Sequence, residues 1–494
     1  MMSNPKRLHP AAILFDIIRA LKQSILGILP IAIIVISNGA SFYLMIGAAV
    51  IIVLIILSSV LSWLRFTYQL EEDQLRIERG IIVRKKRTIS KHRIQSIDLS
   101  QNVIHRIFGL TKVAIETAGN DSSTDAALSA VSMEEGRRLH DELKYKKQVS
   151  EAGSPEVPEE ADIERTELDE SSLLKRTIAL KALIITGSTS ASFGILIGLF
   201  GAAFSQVEAL IPDQFYNDAV RLALSLGMQI MIIFAIIVIL FLWILSILYT
   251  VIKDWNFTIT RYEKELFITR GLLEKKQTTI PLKRIQAVGI KESPIHQLFG
   301  FARIYVEIAS ANTDNSQEVN TVIFPLLRKK EFTSFLSEFL PEYNYSSENL
   351  IHPPKKALPY YLWRSINIPL LAVIITGIFF SSYIWIPVII MLVFGVMGFA
   401  VFQSIGYAID AQQITVQTRI ISKDTAIIPH RRIQALQQKQ HLLHRKQSLA
   451  TLDMAILNKG SGRHFVIKEL RTTDSDYIAD WYSYQEKTSS DINH

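Results

Sequence analysis

The residues best placed for chemistry are basic, and they come in three clusters. Arg84-Lys85-Lys86-Arg87 leads into Lys91, His92 and Arg93; Lys275-Lys276 leads into Lys283 and Arg284; Lys423 leads into His430, Arg431 and Arg432. A Lys or Arg held close to an anionic leaflet gains about 1 kcal/mol. Arg84, Lys85, Lys86, Arg87, Lys275, Lys276, Lys283 and Arg431 are therefore candidate contacts for lipid headgroups or a protein partner. The alternative is passive: cations under a membrane merely complement its charge. A chain already held by several spans needs no lipid affinity to stay in place, so the passive reading is preferred.

Other chemistry is poorly supported. Histidines recur at His105, His296 and His444, the first two in an Ile-His-x-x-Phe-Gly phrase where a capping or core role is expected. His441 and His444 stand three apart without a carboxylate in the motif, so no metal is expected. Glu116 and Glu307 hold equivalent mid-strand places in separate domains, and Ala455 replaces them later, which argues against a shared acid–base pair. There is no cysteine, hence no thiol nucleophile or disulfide. No phosphate loop, zincin helix or nucleophile elbow appears. The expectation is no enzyme and no cofactor.

These residues recur because the chain repeats itself. Arg93-Ile94-Gln95, Arg284-Ile285-Gln286 and Arg432-Ile433-Gln434 anchor three copies, and Gly109 matches Gly300 and Ser448. When apolar and polar members of a phrase recur together, the phrase usually specifies a strand end and its hydrogen bonds. Arg93, Gln95, Arg284, Gln286, Arg432 and Gln434 are accordingly expected to be structural, as are His105, His296, His444, Gly109 and Gly300.

Four stretches lack Asp, Glu, Lys and Arg: 23–64, 182–207, 222–252 and 365–409. Since about 20 apolar residues cross a bilayer, the first and last are long enough for two spans each. Six transmembrane helices in three hairpins are expected, with a first turn at Ser37-Asn38-Gly39. Lys and Arg crowd the flanks between hairpins, which places both termini and all three repeats in the cytoplasm. Topology thus explains the net charge of +7 and the pI near 9.2, and nucleic acid is not an expected partner. Gly194 and Gly198 form a GxxxG pattern that suggests close helix packing.

The order is a basic lead-in (1–22), hairpin 1 (23–64), domain 1 (65–148), an acidic linker (149–172) and hairpin 2 (173–253). Domain 2 (254–343), a second linker (344–364), hairpin 3 (365–404) and domain 3 (405–487) follow. Each domain reads as short alternating strands closed by a helix. In the first copy the strands are expected at 66–70, 75–78, 81–88, 94–99 and 112–117, before a capping box at Ser132.

Hairpin, strand-rich repeat, Arg-Ile-Gln phrase and closing helix, three times in that order, resemble the bacterial pleckstrin-homology-like domain membrane proteins in their large form with three tandem units. The resemblance implies a multi-pass α-helical membrane protein with three tandem cytoplasmic α+β pleckstrin-homology-like domains, each a small barrel or sheet closed by a C-terminal helix. It implies a small homologous membrane protein with one such unit as partner, and a role in cell-envelope integrity or resistance to antimicrobial compounds. It supplies no catalytic residue.

The expected function is a non-enzymatic scaffold that presents the three domains at the cytoplasmic leaflet for protein or headgroup contact. Anionic lipid and self-association are further candidate interactions. The alternative is a transporter or export component for membrane-active peptides, against which the charge-free spans count.

Overall fold

The computed structural model describes residues 5–37, 41–71, 73–117, 126–151, 174–189, 192–208, 227–309, 321–345, 350–410, 412–458 and 462–483. The expected turn at 38–39, the linker beyond residue 151 and the connection at 209–221 lie outside them. The chain divides into two compact units. The first holds Met1–Lys175 with Asn256–Pro281 and Ala311–Asp314; the second holds Arg176–Trp255, Leu282–Ser310 and Asn315–His494.

In the first unit, helices α1 (Ala12–Ser37) and α2 (Ser41–Arg65) lead into β1 (Thr67–Leu70), β2 (Gln74–Arg79) and β3 (Lys85–Ser90). A 3-10 turn at Lys91–Arg93 passes the chain to β4 (Ile94–Gln101), α3 (Val103–Ile107), β5 (Leu110–Thr117), β6 (Ala126–Ser132) and α4 (Met133–Glu151). Alternate strand residues, among them Leu75, Ile77, Ile97, Val113 and Leu128, are buried with Leu139 and Leu143 of α4. The capping box is present: Glu135 N–H donates to Ser132 Oγ at 3.2 Å.

The lead-in is part of this domain. Lys6 bridges to Tyr68, Leu8 and Ala12 enter the core, and α1 begins eleven residues upstream of the apolar stretch that starts at residue 23. A short strand β7 (Leu174–Thr177) precedes the second copy. That copy opens with β8 (Thr258–Arg261), β9 (Glu265–Arg270) and β10 (Lys275–Pro281).

The second unit contains α5 (Leu180–Ser188), α6 (Ser192–Glu208) and α7 (Gly227–Lys253). The later half of copy two follows as β11 (Ile285–Glu292), α8 (Pro294–Phe299), β12 (Phe301–Ile308), β13 (Thr321–Arg328) and α9 (Phe332–Phe339). Next come α10 (Leu358–Phe379) and α11 (Trp385–Ser404). Copy three then runs β14 (Gly406–Asp410), β15 (Gln413–Arg419), β16 (Lys423–Pro429), β17 (Ile433–Lys439), α12 (Leu442–Gln447), β18 (Leu449–Ile456), β19 (Arg463–Arg471) and α13 (Thr472–Ser483). Helix α10 starts inside the segment expected to be the second linker.

Among the described residues, four helices are long and apolar enough to cross a membrane: α2, α7, α10 and α11. The pair α5–α6, bent by 49°, makes a fifth if taken as one span. The remaining expected span falls in α1, whose side chains beyond Ser24 are not described. The GxxxG expectation is corrected. Among the described residues, nothing beyond their own stretch of helix lies within 4 Å of a Cβ placed on Gly194 or Gly198, whereas a Cβ on Gly187 would lie 2.8 Å from the Cα of Ile247 in α7. Helix proximity rests on Gly187.

The Arg-Ile-Gln phrase has a physical meaning in all three copies. Its arginine ends a 3-10 turn, its isoleucine (Ile94, Ile285, Ile433) is buried, and its glutamine is the extra residue of a β-bulge. A bulge leaves one residue unpaired and bends the strand; here it falls one residue into β4, β11 and β17. Arg284 donates through Nε and Nη2 to the Ala309 carbonyl at 2.9 and 2.6 Å, and Gln286 Nε2 donates to the Arg284 carbonyl at 3.1 Å. Arg432 Nη2 donates to the Lys283 carbonyl at 2.7 Å, and the carbonyl of Gln434 accepts from Tyr482. The side chain of Gln95 lies outside the description.

The copies are joined edge to edge. β4 of copy one pairs antiparallel with β10 of copy two, with Lys275 opposite Gln101. β11 of copy two pairs with β16 of copy three, with Lys423 opposite Glu292. In the alignment set by the Arg-Ile-Gln phrase these two pairs are equivalent, so both joints use one register.

Candidate functional site

The β2–β3 turn and its counterparts carry aliphatic side chains in exposed positions. Ile81, Ile82 and Val83 are 39%, 96% and 67% exposed; Leu272 and Leu273 follow the same pattern, as do Ile420 at 85% and Ile421. Basic residues come directly after: Arg84 to Arg87, Lys275 and Lys276, and Lys423. Register places two of these tips beside the ends of spans. α2 ends at Arg65, and β1 begins at Thr67, which pairs with Glu78, two residues before Gly80. α11 ends at Ser404, and Gly406 pairs with Gln417, three residues before Ile420. At about 3.3 Å per residue, each tip lies about 10 Å along the strand from where its chain leaves the membrane helix. An aliphatic tip followed by cations fits the boundary between acyl chains and headgroups.

This corrects one expectation: residues 81–84 are not strand but an exposed turn, opened at Gly80 with φ +120. A Cβ there would meet the Val83 carbonyl oxygen at 2.0 Å, so only glycine fits.

The candidate cations divide into two groups. Arg84, Lys85, Lys86, Arg87, Lys275 and Lys276 stand at or beside a tip. Within the first tip, Glu78 gathers Arg84, Lys86 at 3.6 Å and Arg76 at 3.1 Å, and the Arg84 hydrogen bond foremost lowers its pKa. Arg431 sits in the 3-10 turn at the far end of β16, about 20 Å from the tip, where it meets Glu342 at 2.5 Å. Lys283 occupies the equivalent turn of copy two. Lys423 lies in the second joint, half-buried and 3.5 Å from Glu292; burial pushes its pKa down, opposed by that carboxylate.

The recurrent histidines fasten each domain to the first helix of its own hairpin. His105 stacks on Phe15 of α1 with ring centroids 3.9 Å apart, and its Nε2 lies 2.8 Å from the Ser129 carbonyl oxygen. His296 Nε2 lies 2.6 Å from Thr189 Oγ1, just past α5. His444 packs edge-on against Tyr360 of α10 at 5.0 Å. The same repeat position meets the first helix of its hairpin in three chemically different ways.

His296 yields a pH prediction. Burial, assisted by Arg303, pushes its pKa down to about 4, so it is neutral in the folded protein at pH 7. The stability this confers is complete above the unperturbed value of about 6.5 and is lost as pH falls towards about 4. The expected loss in the second unit is up to about 3 kcal/mol. Thermal midpoints between pH 7.5 and 4 should show an acid limb in the native protein that is much reduced in His296→Leu.

The family model described as Bacterial PH domain matches three times, at residues 24–147, 201–342 and 364–486. The chain belongs to the bacterial PH domain family. It is also 33% identical over 493 residues to the UPF0699 transmembrane protein YdbT of Bacillus subtilis (strain 168), covering 98% of this chain and 99% of that protein. No solved structure matches. Three bacterial PH units with intervening apolar helices make this a transmembrane protein with tandem domains.

Sequence reasoning found the cations of these PH units but missed the aliphatic tips ahead of them. A signal was available: Arg79-Gly80 and Arg270-Gly271 recur in register, and both glycines take positive φ. A glycine held in that conformation marks a turn, not a strand continuing through Ile81.

Proposed function

We propose that the protein is a non-enzymatic, membrane-anchored array of three PH-like domains held at the cytoplasmic face of a bacterial plasma membrane. Its hairpin tips dip into the leaflet and its tip cations contact anionic headgroups. The observation that carries this reading is the placement of exposed Ile82 and Ile420 beside the ends of α2 and α11. Exposed aliphatic side chains followed by Lys and Arg are costly in water and stabilising at a lipid boundary. The basic flanks between hairpins support the cytoplasmic orientation. Tethering keeps the effective concentration of the tips at the surface high, so each contact can be weak. A role in envelope integrity or antimicrobial resistance is what the family resemblance adds.

The test is lipid retention. Full-length protein and a variant with Arg84, Lys85, Lys86 and Arg87 all changed to Ser are purified in mild detergent, and bound anionic phospholipid is quantified. At about 1 kcal/mol per cation before screening, the variant should retain at least about fivefold less. Equal retention would make the basic run a passive complement of the leaflet.

A further inference from the structure

Three strands hold the same place in the three copies: β4, β11 and β17. The first two are covered by the next copy in the shared register. β17 pairs with β18 alone among the described residues. The consequence shows in exposure. Nearly all of β11 is buried, whereas Gln434, Ala435, Gln437, Gln438 and Lys439 of β17 are exposed. The array therefore ends on a sheet edge shaped to take one more β3-type strand. An open edge is a template for main-chain pairing.

Among the described residues β3, the edge strand of copy one, pairs with β2 alone, so a second copy of the chain offers a strand of the right type. The charges oppose that. Extending the joint register sets Lys85 opposite Lys439, Lys86 opposite Gln438 and Arg84 opposite Gln440. In the second joint the place of Lys85 is taken by Asp424, opposite Lys291. Like charges directly opposite destabilise a strand pair, and lysines along an edge are a common block to unwanted pairing. Lys439 lies 3.4 Å from Asp453 but remains more than half exposed, so its charge still faces an incoming strand.

We propose that β17 is a docking edge for the β3-type strand of a separate PH-like unit, one that carries an acidic side chain opposite Lys439. The docked unit would continue the array in the register of the two internal joints. This inference is independent of lipid contact by the tips.

The natural absence of cysteine makes the test clean. One full-length chain carries Gln438→Cys as acceptor. The donor is a second full-length chain with Lys86→Cys, prepared either with Lys85 retained or with Lys85→Asp, so that its first PH unit presents the required acid. Mixed in detergent and mildly oxidised, the Lys85→Asp donor should give about tenfold more disulfide-linked heterodimer than the Lys85 donor. Reversing the acceptor charge with Lys439→Glu should invert that preference. Equal yield from both donors would make the edge indifferent to the acid and allow a second copy as occupant, overturning the proposal. No crosslink from either donor, with both chains folded by circular dichroism, would show that β17 does not accept such a strand.

Discussion

Changing Gly289 to valine should destabilise the second unit by about 3 kcal/mol and open the joint between copies two and three. Gly289 sits in β11 between Tyr305 of β12 and Ala426 of β16. The Tyr305 ring lies across it, and its hydroxyl donates to Asp424 Oδ1 on β16 at 2.7 Å. A Cβ on Gly289 would fall 2.0 Å from the Cζ of that ring, so any side chain expels the tyrosine. The loss would include a buried hydrogen bond as well as packing. Burial foremost raises the pKa of Asp424, while the Tyr305 hydrogen bond works against that rise. Nearby, Asn458 Nδ2 donates to the fully buried Glu307 at 2.6 Å, again between copies two and three. Thermal unfolding of the full-length protein in detergent measures the loss. Adding Tyr305→Ala to Gly289→Val should cost clearly less than the sum of the single changes, because both remove one contact.

Arg364→Ala should destabilise the third domain by about 2–3 kcal/mol. Glu469 turns at the end of β19 with φ +54, and its side chain is only 1% exposed. Arg364, on the first helix of the same hairpin, donates Nη2–H to its Oε1 at 2.5 Å. Tyr361 on that helix donates to the neighbouring Lys468 carbonyl at 2.7 Å. Removing the guanidinium leaves a buried carboxylate without its cation, which costs more than the pair contributes. The half-exposed position of Arg364 lets water repay part of this, which sets the figure below the fully buried range. Arg364→Ala with Glu469→Gln should recover most of the loss, since a neutral amide needs no counter-charge. The comparison separates a charge latch between domain and span from simple loss of packing.

Local pattern made much of this legible in the sequence. Apolar run length gave the helical hairpins, alternation gave most strands, and the tripled Arg-Ile-Gln phrase gave the repeat. The structural reading of that phrase agrees with the buried Ile285 and the bulge at Gln286. Two things were not legible. Tertiary pairing decides whether an edge is covered, so Asp424 and Lys85, at the same place in the repeat, end in a joint and on an open edge. Exposure decides what a hydrophobic residue does, so Ile82 reads as strand core until the turn at Gly80 lifts it out. Ser448 shows the limit of motif arithmetic from the other side: it replaces Gly109 and Gly300 yet keeps their left-handed turn, at φ +54 against +64 and +67. The departure in sequence left the backbone unchanged.

The most direct test places a single nitroxide label at Ile82→Cys in the otherwise cysteine-free chain and a second, separately, at Arg431→Cys. Each protein is reconstituted in vesicles containing anionic phospholipid, and label depth is measured by collisional relaxation with oxygen and with a water-soluble nickel chelate. The label at 82 should favour oxygen, as expected for the acyl–headgroup boundary, while the label at 431 should favour the chelate. Equal, fully aqueous behaviour at both sites would contradict a leaflet-seated tip and, with it, the account of how the array meets its membrane.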